Sequence, residues 1–187
     1  MNLKERCGWC TTDPLYIAYH DSEWGEPIKD DNYLFEMLVL ESFQAGLSWI
    51  TILKKRENFR NAFDGFDLVK IANYDAKKVE ELMQDSGIIR NRRKIEATIK
   101  NANAFLNIQK SYGSFKKYIW EFVDHKPIVN KYKTLDEIPT QTAISKAMAK
   151  SLKKNGFSFM GPTTCYAFMQ ATGMVNDHVL NCFKHPG

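Results

Sequence analysis

Two cysteines and two histidines stand at opposite ends of the chain: Cys7 and His20 near its start, His178 and Cys182 near its end. Thiolate and imidazole are the donors that zinc takes in closed tetrahedral sites. His178 and Cys182 are spaced i, i+4, a spacing that puts both side chains on one face of a helix. Cys10 follows Cys7 at C-x-x-C spacing and competes with His20 as the fourth ligand. Cys₂His₂ and Cys₃His alike leave no position for water, so the expected ion is structural and fastens the termini together. The competing reading makes the cysteines ordinary buried thiols and the histidines unrelated polar residues.

A second concentration of chemistry lies in the first third of the chain. Trp9, Tyr16, Tyr19 and Trp24 crowd a segment that reads as a loop, and Glu41 opens the run Glu-Ser-Phe-Gln-Ala-Gly-Leu-Ser-Trp that ends at Trp49. Glu41 falls at the inner end of an apolar helix, where an ionised carboxylate is costly unless it meets a cation or several hydrogen-bond donors. That cost makes it a candidate site residue. The alternatives are a helix-terminal carboxylate satisfied by water or backbone, and aromatics that are simply core. Further on, Gly87-Ile88-Ile89-Arg90-Asn91-Arg92-Arg93-Lys94 joins a glycine turn to a helix start with four basic side chains. Free N–H groups and the positive end of the helix dipole favour an anion there, and nucleic acid is the natural candidate. A solvated basic helix start after an ordinary capping glycine is the plainer explanation.

The elements that must position these residues read as helices. Asp31 to Ala45 carries Leu34, Phe35, Leu38 and Phe43 as a stripe, and Gly46 breaks it. Ser48 is placed to cap a helix through Trp49, Ile52, Leu53 and Phe59, and Asp75 one through Val79, Leu82 and Met83 that stops near Gly87. Asn91 to Gln109, Phe115 to Val123, Thr142 to Asn155 and Pro162 to Thr172 complete the series, with Gly156 and Gly173 as stops. Strand patterning is essentially absent, and the expected class is all-α.

The chain has 187 residues, 44% of them hydrophobic, enough for one domain with a real core. A net charge of +4 permits a polyanionic partner without requiring one. Nothing resembles a signal peptide or a membrane span, so a cytoplasmic location is expected, where four cysteines serve better as ligands and free thiols than as disulfides. Cys165 reads as a core thiol.

Beyond single residues, the order of several motifs carries a resemblance. Arg6-Cys7-Gly8-Trp9, Asp13-Pro14-Leu15-Tyr16-Ile17-Ala18-Tyr19-His20-Asp21 and Glu23-Trp24-Gly25 open the chain. Leu34-Phe35-Glu36-Met37, Gln44-Ala45-Gly46-Leu47-Ser48-Trp49 with its continuation to Arg56, Gly87-Ile88-Ile89-Arg90 and Asn176-Asp177-His178-Val179 follow. Together they resemble the bacterial 3-methyladenine DNA glycosylase I family, of the helix-hairpin-helix glycosylase superfamily, over essentially the whole length.

The resemblance implies one glycosylase domain over residues 1–187. Within it, 1–28 and 174–187 would form a zinc lobe and 75–109 a helix-hairpin-helix element. It implies a single structural zinc on Cys7, His20, His178 and Cys182, favouring His20 over Cys10. It implies base excision: N3-methyladenine is flipped from alkylated double-stranded DNA and its N-glycosidic bond hydrolysed, leaving an abasic site. Glu41 would recognise the cationic base, Trp9, Tyr16, Tyr19, Trp24 and Trp49 would hold it, and Gly87, Ile88, Arg90, Arg92, Arg93 and Lys94 would contact DNA. A monofunctional, monomeric enzyme without nucleotide cofactor or membrane partner is expected. The turn departs from the superfamily's usual pair of glycines, with Ile89 in the second place. A zinc-stabilised nucleic-acid-binding module and a zinc hydrolase are the rival readings.

Overall fold

The computed structural model describes residues 4–187. Among them, helices carry the fold: α1 (Pro14–Ser22), α2 (Asp31–Gln44), α3 (Trp49–Ala62), α4 (Leu68–Ala72), α5 (Ala76–Gln84), α6 (Arg92–Tyr112), α7 (Phe115–Trp120), α8 (Ala143–Lys154) and α9 (Pro162–Ala171). Two short strands, β1 (Ile128–Val129) and β2 (Val175–Asn176), pair in parallel. Among the described residues, no helix is long and apolar enough to cross a membrane.

Residues Leu34 to Phe43 of α2 are all buried, because α3, α6, α7 and α9 pack around it. A helix buried on every side belongs at the centre of a bundle. Phe43 meets Phe59 edge-on at 4.9 Å between ring centroids, and Phe105 stacks on Phe115 at 3.9 Å. Each buried ring of this kind contributes roughly 1.5–3 kcal/mol. The helix starts are fixed by side chains. Asp30, Asp67, Asp75, Asn91, Ser114 and Thr142 accept from first-turn N–H groups, at typically about 1 kcal/mol each.

Four details differ from the sequence reading. The aromatic-rich segment is not a loop: Asp13 accepts from the Leu15 N–H, Pro14 starts α1, and the helix lines up Tyr16, Tyr19 and His20. Helix α4 is too short to show a period. Ser48 makes no backbone cap, its hydroxyl lying 2.7 Å from that of Thr51. Finally, His178 and Cys182 are not on a helix; Asn176 accepts from the His178 N–H, and the Cys182 N–H turns back to the Val179 carbonyl.

The end of the chain returns to its beginning. The Gly25 and Ile28 N–H groups donate to Gln170 and Thr172, and the Phe183 N–H donates to Glu5, at 2.9 to 3.0 Å. At Gly173, φ is +67° and a Cβ would lie 2.2 Å from the carbonyl carbon of Glu26, so only glycine lets the end of α9 touch that segment. This return places both C-terminal donors beside His20 of α1.

Candidate active site

Between α1, α2, α3 and α9 lies a cavity of about 320 Å³ lined by Trp9, Tyr16, Tyr19, Trp24, Glu41, Gln44, Trp49, Leu135, Ile138, Ala167 and Gln170. Helix α1 presents Tyr16 and Tyr19 one turn apart, α2 presents Glu41 and Gln44 at the same interval, and Trp49 begins α3. The rings pack on one another: Trp9 lies 5.0 Å from both Tyr16 and Trp24, and Tyr19 lies 5.4 Å from Trp49. All six of the residues singled out from the sequence for catalysis and base binding therefore meet at one hollow.

Its electrostatics are unusual. Glu41 is 4% exposed, its Oε2 has no hydrogen-bond partner, and burial alone pushes its carboxyl up to about 8. Two donors nearby are also without partners, Nε1 of Trp9 and Nε1 of Trp49. Folded proteins rarely leave such groups unmatched, since each costs roughly 1–3 kcal/mol. An acceptor and two donors left open around one cavity are the complement of a flat polar ligand. Burial first, and then the Glu41 carboxylate, pushes the Tyr19 phenol well above its ordinary range, so it stays protonated.

Behind the aromatic wall, Cys7, His20, His178 and Cys182 are buried with their donor atoms within 4.8 Å of one another. Three sulfur–nitrogen separations are 3.4 to 3.5 Å. Bond lengths typical of tetrahedral zinc place sulfur and nitrogen about 3.5 Å apart, so the set fits a single ion of that kind. The imidazoles are oriented for it. The Nδ1–H of His20 donates to Asp21, itself gripped by Arg6, and the Nε2–H of His178 donates to the Trp24 carbonyl, each leaving the inner nitrogen unprotonated and facing the cluster, where that of His20 also lies 3.3 Å from the Cys7 N–H. Burial holds the Cys7 thiol up at about 12 and His178 down at about 4, so metal binding must release a thiol proton. Cys10 is buried outside the cluster, and His20 completes it.

The basic turn is less uniform than the sequence implied. Arg90, Arg92 and Arg93 are exposed, although Arg92 pairs with Glu80. Gly87 is held by Asp85, Lys55 and Asn58, and Ile88 is core. Lys94 requires correction as a DNA contact: it is 6% exposed and its ammonium donates to the Phe43 and Ala45 carbonyls. Arg93 instead joins a groove of about 710 Å³ at the α8–α9 turn, with Lys146, Lys150, Lys153, Phe159 and Gly161. Sequence reasoning missed this groove, whose signal was the Gly156–Gly161 pair following the lysines of α8. It also missed Gln44, legible one turn after Glu41, and Gln170, which no local pattern ties to the cavity.

Comparison with known proteins is consistent across three kinds of match. Residues 9–185 match the methyladenine glycosylase family. DNA-3-methyladenine glycosylase 1 of Escherichia coli (strain K12) is 57% identical over 98% of both chains. A crystal structure of 3-methyladenine DNA glycosylase I superposes with a TM-score of 0.95 at 55% identity, covering 97% of this chain and all of the other. A variant of 3-methyladenine DNA glycosylase I, crystallised in complex with 3-methyladenine, gives a TM-score of 0.94 at 38% identity over 97% and 98% of the two chains. A match over nearly the full length, on a fold that gathers one carboxylate and five rings at a cavity, leads to one conclusion: this chain belongs to the methyladenine glycosylase family, and it is a DNA glycosylase.

Proposed function

We propose that this enzyme releases N3-methyladenine from alkylated duplex DNA by hydrolysis, leaving an abasic site and an intact strand. The observation that carries the reading is the buried, unpartnered carboxyl of Glu41 at the aromatic cavity. A relative crystallised with 3-methyladenine supports the choice of base.

Methylation at N3 makes the nucleotide base cationic and weakens its bond to C1′. As water adds at C1′ and loses a proton to solvent, the C1′–N9 bond breaks and its electron pair neutralises the departing purine, so little general-acid assistance is needed. The protein's tasks are extraction and recognition. The base must leave the stack to enter the cavity. Stacking on the rings is worth roughly 1–3 kcal/mol, with an added cation–π share only for the charged base. Ionised Glu41 accepts from the adenine amino group and opposes the positive ring; unmodified adenine compensates its desolvation less well. Leu47 is an apolar side chain 41% exposed in the turn between Gln44 and Trp49, both of which line the cavity, and would be suited to the gap left by the base. The cavity lining contains no lysine, which argues against a Schiff-base intermediate and strand cleavage.

Duplex DNA would lie across the α8–α9 groove, where the first-turn N–H groups of α9 have no side-chain cap and Arg93, Lys146, Lys150 and Lys153 gather. Arg90 and Arg92 of the α5–α6 helix-hairpin-helix candidate would extend this surface. The ion held by Cys7, His20, His178 and Cys182 we take to be zinc, with a structural contribution, since four protein donors close the tetrahedron. The lobe of residues 1–28 and 174–187, of which residues 1–3 lie outside those described, is then what the ion would fasten.

The test is incubation with methylated duplex DNA and chromatography of the freed base, for wild type and Glu41→Gln. Release of 3-methyladenine by the wild type and its loss in the variant are expected. Equal release by both proteins would remove Glu41 from the mechanism, and no release by either would end the reading.

A further inference from the structure

Lys94 is placed where elementary electrostatics disfavours it. It stands in the first turn of α6, at the positive end of that helix, and it is 6% exposed, with no carboxylate partner among the described residues. Burial pushes its ammonium below the usual lysine range. What it obtains in exchange is two acceptors, the carbonyls of Phe43 and Ala45, each at 2.9 Å. These are the carbonyls that the end of α2 leaves without intrahelical donors. The chain then turns through Gly46, at φ +86°, with the Leu47 N–H returned to the Gln44 carbonyl, and reaches Trp49. Glu41 precedes the clamped carbonyls, Gln44 lies between them and Trp49 follows at the start of α3, all three lining the cavity.

We propose that Lys94 is a positioning residue for the base pocket: by clamping the C-terminal carbonyls of α2 it fixes the 45–48 turn, and with it the separation of Glu41 and Gln44 from Trp49. The proposal rests on the base-pocket reading above. A buried residue that breaks a local rule without a stabilising partner belongs where function demands it. Misplacement of a recognition group by about an ångström costs on the order of a hundredfold in rate.

The experiment uses the full chain in five forms: wild type, Glu41→Gln, Lys94→Met, Lys94→Arg and Lys94→Ala. Single-turnover release from methylated duplex, quenching of tryptophan fluorescence by free 3-methyladenine, affinity for unmodified duplex and thermal unfolding are measured for each. Lys94→Met is expected to remain folded, with a lowered unfolding midpoint because two carbonyls lose their donor, and to keep its duplex affinity with its salt slope at temperatures well below that midpoint, while quenching weakens and release falls about a hundredfold. Lys94→Arg should recover part of the rate, and ethylammonium should restore part of it to Lys94→Ala. Unchanged release and quenching in Lys94→Met would overturn the proposal. So would a salt slope about one unit smaller, the mark of a phosphate contact. Should Lys94→Met fail to fold, absence of any ethylammonium rescue and of any Lys94→Arg activity would refute it equally. Active Glu41→Gln undermines the pocket reading itself, whereas inactive Glu41→Gln beside fully active Lys94→Met defeats only Lys94.

Discussion

Helix α2 carries two buried carboxylates that have been treated in opposite ways. Glu36 is 7% exposed and meets Arg56 Nε at 2.7 Å and Arg60 at 2.8 and 3.1 Å, while Arg56 extends to Glu23 and to the Tyr33 hydroxyl, each at 2.6 Å. Glu41, 4% exposed, has an oxygen with no partner at all. The protein therefore could supply cations to a buried carboxylate and did so only for one. Glu36 ties α2 to α3 and belongs to the scaffold. Glu41 is a buried acid left without a cation, which is the asymmetry the proposed recognition of a cationic base accounts for.

The sharpest way to break this contrast is to neutralise each carboxylate in turn. Glu41→Gln should lower single-turnover excision about 10²- to 10³-fold, the usual loss when one preorganised electrostatic group is removed. Glu36→Gln should leave the intrinsic rate of the folded enzyme largely intact. Stability should move in opposite directions. Removing one member of a buried ion pair strands the other and costs roughly 3–5 kcal/mol; because Arg60 is partly exposed, about 3 is expected for Glu36→Gln in urea unfolding. Glu41→Gln should gain about 3 kcal/mol at pH 7, a stabilised but inactive protein. Destabilisation by both substitutions would mean that Glu41 is scaffold as well.

The pH dependence refines the same comparison. The Glu41 carboxyl titrates at about 8 in the fold against an ordinary 4.5, so folding takes up a proton. Its favourable share of stability is fully present below 4.5 and disappears as pH rises through 8, and the gap between wild type and Glu41→Gln should widen across that window. Excision at subsaturating DNA should rise with pH through about 8, as the ionised form that opposes the cationic base becomes populated in the free enzyme, and then level off. The limb should vanish in Glu41→Gln. A flat wild-type profile between pH 6 and 9 would show that ionisation of this group is not required.

The same pair shows what a sequence exposes and what it hides. An acidic residue inside an apolar helix is visible as a cost, which is why Glu41 stood out. Glu36 carries an identical cost, but its cation lies 20 residues on, at a separation no local pattern reveals. Lys94 illustrates the converse: in a run of basic residues it read as a surface charge, and only the packing of α6 on α2 shows that it is inside. The helices with a full apolar stripe were legible, whereas α4 is too short for a period and β1 and β2 too short for alternation. Spacing brought His178 and Cys182 together for an inexact reason, since turns can close the same interval as a helix. Asp13-Pro14 was a cap and a first helical residue in plain view, obscured by the aromatics behind it.

The smallest effect is expected at Glu23, the outer end of the ionic network. Its side chain is 32% exposed, and Arg56 keeps Glu36 and Tyr33 when Glu23 is neutralised. Solvent and the remaining partners therefore absorb most of the loss, and Glu23→Gln should cost about 1 kcal/mol or less in urea unfolding. Excision should stay within about twofold of wild type, the scale of a substitution that moves no recognition group. The position is informative because Glu23 immediately precedes Trp24, which lines the cavity and whose carbonyl accepts from the His178 ring Nε2–H. If pairing with the scaffold is what separates Glu36 and Glu23 from Glu41, proximity to the cavity in sequence should not matter. A Glu23→Gln protein as inactive as Glu41→Gln would show that the ionic network and the pocket act as one unit, and would erase the distinction drawn between the two carboxylates of α2.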